Sequence, residues 1–210
     1  MSVTAIIVGL NEWERYTLPC IMSIQAVDPL LNIVCVDNGS VPEYPQVAGV
    51  LMTRTPSKRS YAGGINWGMK QAPESDWYVV LNNDILLNKP ISERVEKLDP
   101  KRIYGFCLYG PEPALFTWEY MPSWCYFYHK TLWNIVGDFD EACAPMYFED
   151  ADYCKRVIDA GFKLVTLDRV DWGVQHLEDE RQAERHAYMV AHMPERNSIR
   201  LYVRAKHGTH

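Results

Sequence analysis

The 210-residue sequence predicts an α/β fold in which a mainly parallel central sheet is flanked by helices. Three observations predict it. Short apolar runs rich in Val and Ile recur through the first half, at residues 3–8, 31–36, 47–53 and 77–81. Segments of helical character separate those runs, as right-handed crossovers between parallel strands require. Three of the runs open directly onto polar residues: Gly9-Leu10-Asn11-Glu12, Asp37-Asn38-Gly39-Ser40 and Asn82-Asn83-Asp84. Ligands of open α/β sheets bind beyond the carboxyl ends of the strands, so these three exits are expected to line one rim.

The elements follow in order. Residues 3–8 are apolar without alternation, the pattern of a strand buried on both faces. Asn11 is placed to cap a helix over residues 13–26. Residues 31–36 form a second buried strand that ends in a cluster of turn formers. Residues 47–53 read as a third strand, 61–71 as a glycine-containing helix and 77–81 as a fourth strand. The second half is less regular. Strands are expected at 103–109 and 124–128, with a loop carrying Pro111, Pro113 and Pro122 between and around them. A short helix at 129–136 stops at Gly137, a helix at 150–160 stops at Gly161, and a strand covers 162–167. From Glu178 a long, mostly polar helical region runs on, interrupted near Pro194 and resumed to about Lys206. No repeat, low-complexity segment or linker divides the chain, so one domain is expected.

Composition narrows the function classes. With 48% hydrophobic and 23% charged residues the chain is of folded, not disordered, type. A formal charge of −6 argues against non-specific adhesion to nucleic acid or anionic membrane. Met1 to Ala5 offer no basic region ahead of an apolar one, so no signal peptide is expected, and no apolar run approaches the roughly 20 residues of a membrane span. The six cysteines form no Cys-x-x-Cys pair and are expected as reduced, mostly buried thiols. A cytoplasmic protein follows, soluble or peripheral at a membrane.

Four groups of residues carry candidate chemistry. Asp37, at a strand exit, is suited to a ribose hydroxyl or a base N–H, or else to an Asx-turn with its own backbone. Gly63 and Gly64 open a helix where a ligand backbone or phosphate can approach closely, with Arg54, Lys58 and Arg59 just upstream; tight helix–sheet packing is the alternative. The run matches neither the Walker A loop nor the dinucleotide fingerprint. Glu149, Asp150 and Asp152 begin a helix, where acids commonly serve the helix dipole at about 0.3–1 kcal/mol each. The dipole is expected to keep such a carboxylate ionised, as a general base requires. Asp152 and Arg156, spaced i,i+4, read as a structural pair. Asp84 and His176 together suit a divalent metal.

The order of these motifs is more telling than any one of them. I-I-V-G-L-N-E (6–12), V-D-N-G-S (36–40), Y-A-G-G-I-N-W-G (61–68), L-N-N-D (81–84), V-G-D-F-D-E (136–141), Y-F-E-D-A-D-Y-C-K-R (147–156), His176 and R-N-S-I-R-L-Y-V-R (196–204) follow one another along essentially the whole chain. In this the chain resembles the family 2 glycosyltransferases of GT-A (Rossmann-like, nucleotide-diphospho-sugar transferase) fold, particularly their rhamnosyltransferase-like branch. The resemblance implies a nucleotide-binding half at 1–90 and an acceptor and catalytic half at 91–210. It implies a nucleotide-sugar donor, UDP-sugar favoured over dTDP- or GDP-sugar, edged by Gly9, Leu10 and Glu12. Asp37 would bind base or ribose, and Arg59, Gly63, Gly64, Asn66, Asn82 and Asn83 would line the donor site. Asp84 stands at the last acid of the family's D-x-D motif and His176 at a residue completing the metal or diphosphate site, so Mg²⁺ or Mn²⁺ is implied. Asp150 would be the catalytic base, Glu149 would orient it or touch the acceptor, and Trp124 would wall the acceptor.

The chain departs from the family pattern at Lys58 and Ser60, which replace an Asn and a Gly, and at Asn82, which replaces the commoner Asp. The last change lowers the charge of the metal motif, so the metal is expected to bind poorly without nucleotide and well with it. The implied reaction is an inverting, metal-dependent transfer to an acceptor hydroxyl on a glycan, lipid-linked glycan, protein, small molecule or modified nucleic acid. Two other classes compete: a non-catalytic nucleotide-sugar-binding protein, and a glycoside hydrolase, which also uses paired acids.

Overall fold

The structure is a computed structural model and describes residues 1–112, 115–144, 147–177, 187 and 189–208. A seven-stranded sheet organises it, from β1 (Val3–Gly9), β2 (Asn32–Asp37), β3 (Val50–Arg54), β4 (Trp77–Asn82), β6 (Arg102–Gly105), β7 (Cys125–His129) and β8 (Lys163–Thr166). The spatial order is β3-β2-β1-β4-β7-β6-β8. The first four are mutually parallel, β8 is parallel to β6, and β7 alone runs antiparallel to both its neighbours. The mainly parallel sheet expected from the sequence is therefore present. A separate two-stranded sheet pairs β5 (Ile85–Leu87) with β9 (Val174–His176).

β1 is buried along its whole length, as its unbroken apolar run predicts. Its alternate side chains feed two cores. Ala5 and Ile7 join Cys20, Ile24, Cys35, Val79 and Leu81 on the face covered by α1 (Leu18–Val27). Ile6 and Val8 join Ile65, Met69, Tyr126, Tyr153 and Val157 on the face covered by α2 (Tyr61–Gln71) and α5 (Glu149–Asp159). There the Phe139 and Tyr153 rings stack at 3.9 Å. A third cluster joins Phe116, Trp118, Phe148 and Ala151 to Ile199 and Val203 of the last helix, α7 (Met193–Lys206). The short helices α3 (Ser92–Val95), α4 (Lys130–Val136) and α6 (Arg169–Trp172) complete the fold. Among the described residues no helix is long and apolar enough to cross a membrane.

Several boundaries differ from the sequence reading for local reasons. The helix expected over 13–26 is a π-helical turn, Trp13–Thr17, followed by α1. Pro19 lacks the N–H that would close an α turn onto Arg15. Asn11 caps nothing: it and Glu12 have φ of 53° and 51°, and Asn11 Oδ1 accepts from Val41 N at 2.9 Å. β3 begins only at Val50 because Gly49, at φ 76°, turns the chain just before it. The strand expected at 103–109 ends at Gly105, after which Tyr109 makes an isolated bridge to Tyr120. Pro194 stands in the first turn of α7, where its missing N–H costs nothing, instead of interrupting a helix. The start of the helical region expected from Glu178 lies outside the described residues.

Candidate active site

Register places the polar strand exits side by side. Gly9 pairs with Asp37 across β1 and β2, and Val8 with Asn82 across β1 and β4. Beyond them lies a cleft of about 260 Å³ lined by Asn11, Glu12, Trp13, Val41, Glu43 and Tyr44, among others. The Trp13 and Tyr44 rings meet at 4.8 Å. A Cβ on Gly9 would fall 2.6 Å from the Tyr44 hydroxyl, so glycine there lets that phenol donate to the Asn11 carbonyl at 2.5 Å. Leu10, next in the chain, is half-buried on the same rim.

Asp37 bonds the backbone of the turn that follows it, though three and seven residues on and not at the two-residue spacing of an Asx-turn. Its Oδ1 accepts from Ser40 N at 2.7 Å, and its Oδ2 accepts from Tyr44 N at 3.1 Å and from the Arg54 guanidinium. Burial would raise this carboxyl, yet the hydrogen bonds from Ser40 and Tyr44 and the charge of Arg54 hold it below the usual aspartate value. It also lines a smaller cavity with Glu43, Tyr44 and Thr53.

The glycine-rich helix start divides by face. Ser60 caps α2, accepting from Gly63 N at 3.1 Å. A Cβ on Gly64 would sit 2.6 Å from Val8 Cγ1, which is the helix–sheet packing alternative realised. Gly63 instead faces the Glu141 carboxylate, where a Cβ would come within 2.9 Å of Oε2. Asn66 is buried and pairs with Phe139 in both directions, donating to its carbonyl at 2.9 Å and accepting from its N–H at 2.8 Å, and it donates to Glu141 Oε1 at 3.1 Å. Arg59 bonds Glu141 at 3.3 Å and lies over Trp67. Gly63, Asn66 and Arg59 thus converge on the loop through Glu141, and Arg54 is spent on Asp37; Lys58 is the exposed cation of this group.

Asp84 and His176 come from distant parts of the chain and are joined by the β5–β9 ladder, which sets Ile85 opposite His176. Leu177 N donates to the Asp84 carbonyl at 3.0 Å. Both side chains are buried, with Asp84 Oδ1 3.4 Å from His176 Nε2. Asn82 N donates to the Trp124 carbonyl at 2.9 Å, and Asn83 Nδ2 donates to Thr17 Oγ1 at 2.9 Å. Among the described residues no three His, Cys, Asp or Glu side chains form a metal-holding group. One carboxylate and one imidazole fit the hard-cation pattern in which one or two protein ligands are completed by substrate phosphate oxygens and water. Asp84 and His176 would hold such an ion.

The second carboxylate pair is set by strained backbone. Tyr147 and Phe148, at φ 83° and 64°, are non-glycine residues in the left-handed region immediately before Glu149. Packing holds them there: the Phe148 ring meets Phe116 at 5.2 Å, and Arg196 of α7 lies over both aromatic rings at 5.0 and 5.5 Å. Glu149 is buried, its Oε1 accepting from Ser123 Oγ at 3.1 Å, while Oε2 has no hydrogen-bond partner among the described residues. Asp150 is partly exposed and accepts from Ala151 N at 2.8 Å. Burial raises the Glu149 carboxyl, and burial followed by the charge of Glu149 raises Asp150 well above the usual aspartate value. Desolvation and like charge therefore outweigh the helix dipole, contrary to the expectation from position alone. A carboxylate with raised proton affinity is, once ionised, also the stronger proton acceptor.

One phenol links the two groups of carboxylates. The Tyr61 hydroxyl, raised by burial, is raised further by the charges of Glu149, Asp84 and Asp150, and it donates to the Ser123 carbonyl at 3.3 Å. Ser123 and Tyr61 were not singled out from the sequence; their roles depend on contacts between distant segments that no local pattern signals.

The glycosyl transferase family 2 model matches residues 4–153. No curated protein matches the chain significantly. Among solved structures the chain is similar to S. aureus TarS (16% identity, TM-score 0.59, covering 80% of this chain and 35% of that one). It is similar to GalNAc-T7 solved with UDP, GalNAc and Mn²⁺ (12%, 0.64, 79% and 41%). It is also similar to the mannosyltransferase PcManGT from Pyrobaculum calidifontis, solved with GDP-Man and Mn²⁺ (15%, 0.57, 80% and 55%). The chain spans well under two thirds of the length of each of these. At such identities the structures establish a shared fold, and the family match covers most of the sequence. The chain belongs to glycosyl transferase family 2, with the GT-A fold.

Proposed function

We propose that the chain transfers a glycosyl group from a nucleoside-diphosphate sugar to an acceptor hydroxyl with inversion. The observation that carries this reading is the link between the two pairs through adjacent residues: Ser123 Oγ bonds Glu149, the Tyr61 hydroxyl donates to the Ser123 carbonyl, and the next ring, Trp124, stacks on His176, which faces Asp84. Residues 1–90 then form the nucleotide half and 91–210 the acceptor and catalytic half. The cleft by Glu12, Trp13 and Tyr44 takes the nucleoside, and Asp37 supports it from the neighbouring exit. Asp84 and His176 would hold a Mg²⁺ or Mn²⁺ ion, which would neutralise charge on the departing nucleoside diphosphate. Asp150 accepts the proton of the acceptor hydroxyl while that oxygen bonds to the anomeric carbon and the bond to the diphosphate breaks on the opposite face. Glu149, fixed by Ser123, orients Asp150 and sets its proton affinity.

UDP-sugars are the favoured donors, since TarS was solved with UDP-GlcNAc and GalNAc-T7 with UDP, while PcManGT was solved with GDP-Man. The test is a thermal-shift screen of UDP-, dTDP- and GDP-sugars with Mn²⁺, followed by donor hydrolysis. A ligand at 100 times its Kd stabilises by about 2.7 kcal/mol, so a true donor raises the melting temperature measurably. Binding without any hydrolysis points to a non-catalytic nucleotide-sugar-binding protein. Sugar release from a free glycoside, with no nucleotide present, points to a hydrolase.

A further inference from the structure

Trp124, which the family resemblance sets at an acceptor-side wall, turns its indole toward protein rings. It lies 4.7 Å from the His176 imidazole at an interplanar angle of 20°, and 5.4 Å from the Phe106 ring at 19°. Phe106 in turn meets the fully buried Phe127 of β7 edge-on at 5.7 Å. A chain of rings therefore runs from the sheet core to the imidazole that faces Asp84. The backbone shares the arrangement, because the Trp124 carbonyl accepts from the N–H of Asn82, two residues before Asp84.

An imidazole can donate a lone pair only within its ring plane. The terminal torsion of a histidine side chain is broad, so the backbone position of His176 alone does not set that plane. Stacking on an indole does set it and directs the ring edge, with Nε2 toward Asp84 Oδ1 at 3.4 Å. Outer groups that orient a ligating histidine typically change metal affinity 10–100-fold when removed. We propose that Trp124, backed by Phe106, is a positioning residue that fixes the His176 imidazole for a divalent cation shared with Asp84, and does not serve as a stacking wall for the acceptor. This rests on the reading that Asp84 and His176 hold the cation.

The experiment is Mn²⁺ binding at saturating UDP, read from the free-Mn²⁺ electron paramagnetic resonance signal of the full chain, with no turnover required. Trp124→Leu is expected to weaken Mn²⁺ about tenfold or more, and Trp124→Phe, which keeps a ring, far less. In the metal-free protein, the imidazole proton shifts of His176 should lose their indole ring-current displacement in Trp124→Leu and keep much of it in Trp124→Phe. Wild-type Mn²⁺ affinity in Trp124→Leu, alongside weakened binding in His176→Ala, overturns the positioning role. A Trp124→Leu enzyme with intact Mn²⁺ affinity and only a raised acceptor KM overturns it in favour of the acceptor wall. Unchanged affinity in both Asp84→Ala and His176→Ala instead overturns the cation reading beneath it. Should Trp124→Leu fail to fold, Phe106→Leu takes its place: weakened Mn²⁺ binding supports the stack, and wild-type binding contradicts it.

Discussion

At the scale of single residues, Glu149 carries a cost in stability. Its carboxyl is buried with one oxygen lacking a hydrogen-bond partner among the described residues, and burial raises its pKa. The native state then binds this proton more tightly than the unfolded chain does. Stability is therefore lost as pH rises from the ordinary glutamate value through the raised one, and the loss is complete above it. Glu149→Gln, neutral at every pH, should melt higher than wild type at pH 8 and no higher near pH 4, with a shift of about 2–4 °C for each kcal/mol recovered. Melting curves at the two pH values check this; equal shifts at both would count against a charged, buried Glu149. The same substitution removes the neighbouring charge from Asp150, so the acid limb of the rate profile should move to lower pH. Gly64 is a purely steric case. Its absent Cβ would lie 2.6 Å from Val8 Cγ1 on a fully packed strand, so Gly64→Ala should cost about 1–3 kcal/mol in urea unfolding.

At the scale of elements, α7 holds the turn that carries Asp150, the proposed base, in place. Asp152, two residues after Asp150, is fully buried and meets Arg156 Nε at 2.9 Å, Lys206 Nζ at 2.7 Å and His207 Nε2 at 2.9 Å. Lys206 also reaches Asp140 at 2.6 Å, and Tyr202 donates to the same carboxylate at 2.8 Å. The i,i+4 pairing of Asp152 with Arg156 is legible in the sequence; the two partners at the C-terminal end of α7, Lys206 and the His207 that follows it, are not, because they lie some fifty residues on. Removing one member of a buried ion network leaves the others uncompensated, so Asp152→Asn should cost about 3–5 kcal/mol. Equilibrium unfolding measures it, and a loss below about 1 kcal/mol would make the network ornamental. Elsewhere legibility followed burial. β1, β2 and β4 were readable because continuous apolar runs mark strands covered on both faces. β5 and β9 have three residues each, too few for any periodicity, and exist only through pairing with each other.

At the scale of the whole molecule, the order of motifs conveyed the family, and the sheet explains why that order makes a site. Parallel strands β1, β2 and β4 deliver their exits to one rim, and β7, running the other way, brings Ser123 and Trp124 to the same edge. What the sequence could not convey is which way each side chain faces once the layers pack. Asn66 and Arg59 turn to the Glu141 loop, Gly64 to the sheet and Trp124 to His176, although the family resemblance implies a ligand-facing role for all four. The central claim is that a donor site on that rim and a base on α5 are separable parts of one transferase. Calorimetric titration of UDP-sugar with Mn²⁺ into wild type and Asp150→Asn, paired with donor hydrolysis and transfer on the same samples, tests it most directly. The account predicts equal donor affinity in the two proteins and a fall in turnover of about 10²–10⁴-fold in the variant. Wild-type turnover by Asp150→Asn would contradict it, and so would a wild-type chain that binds no nucleotide sugar.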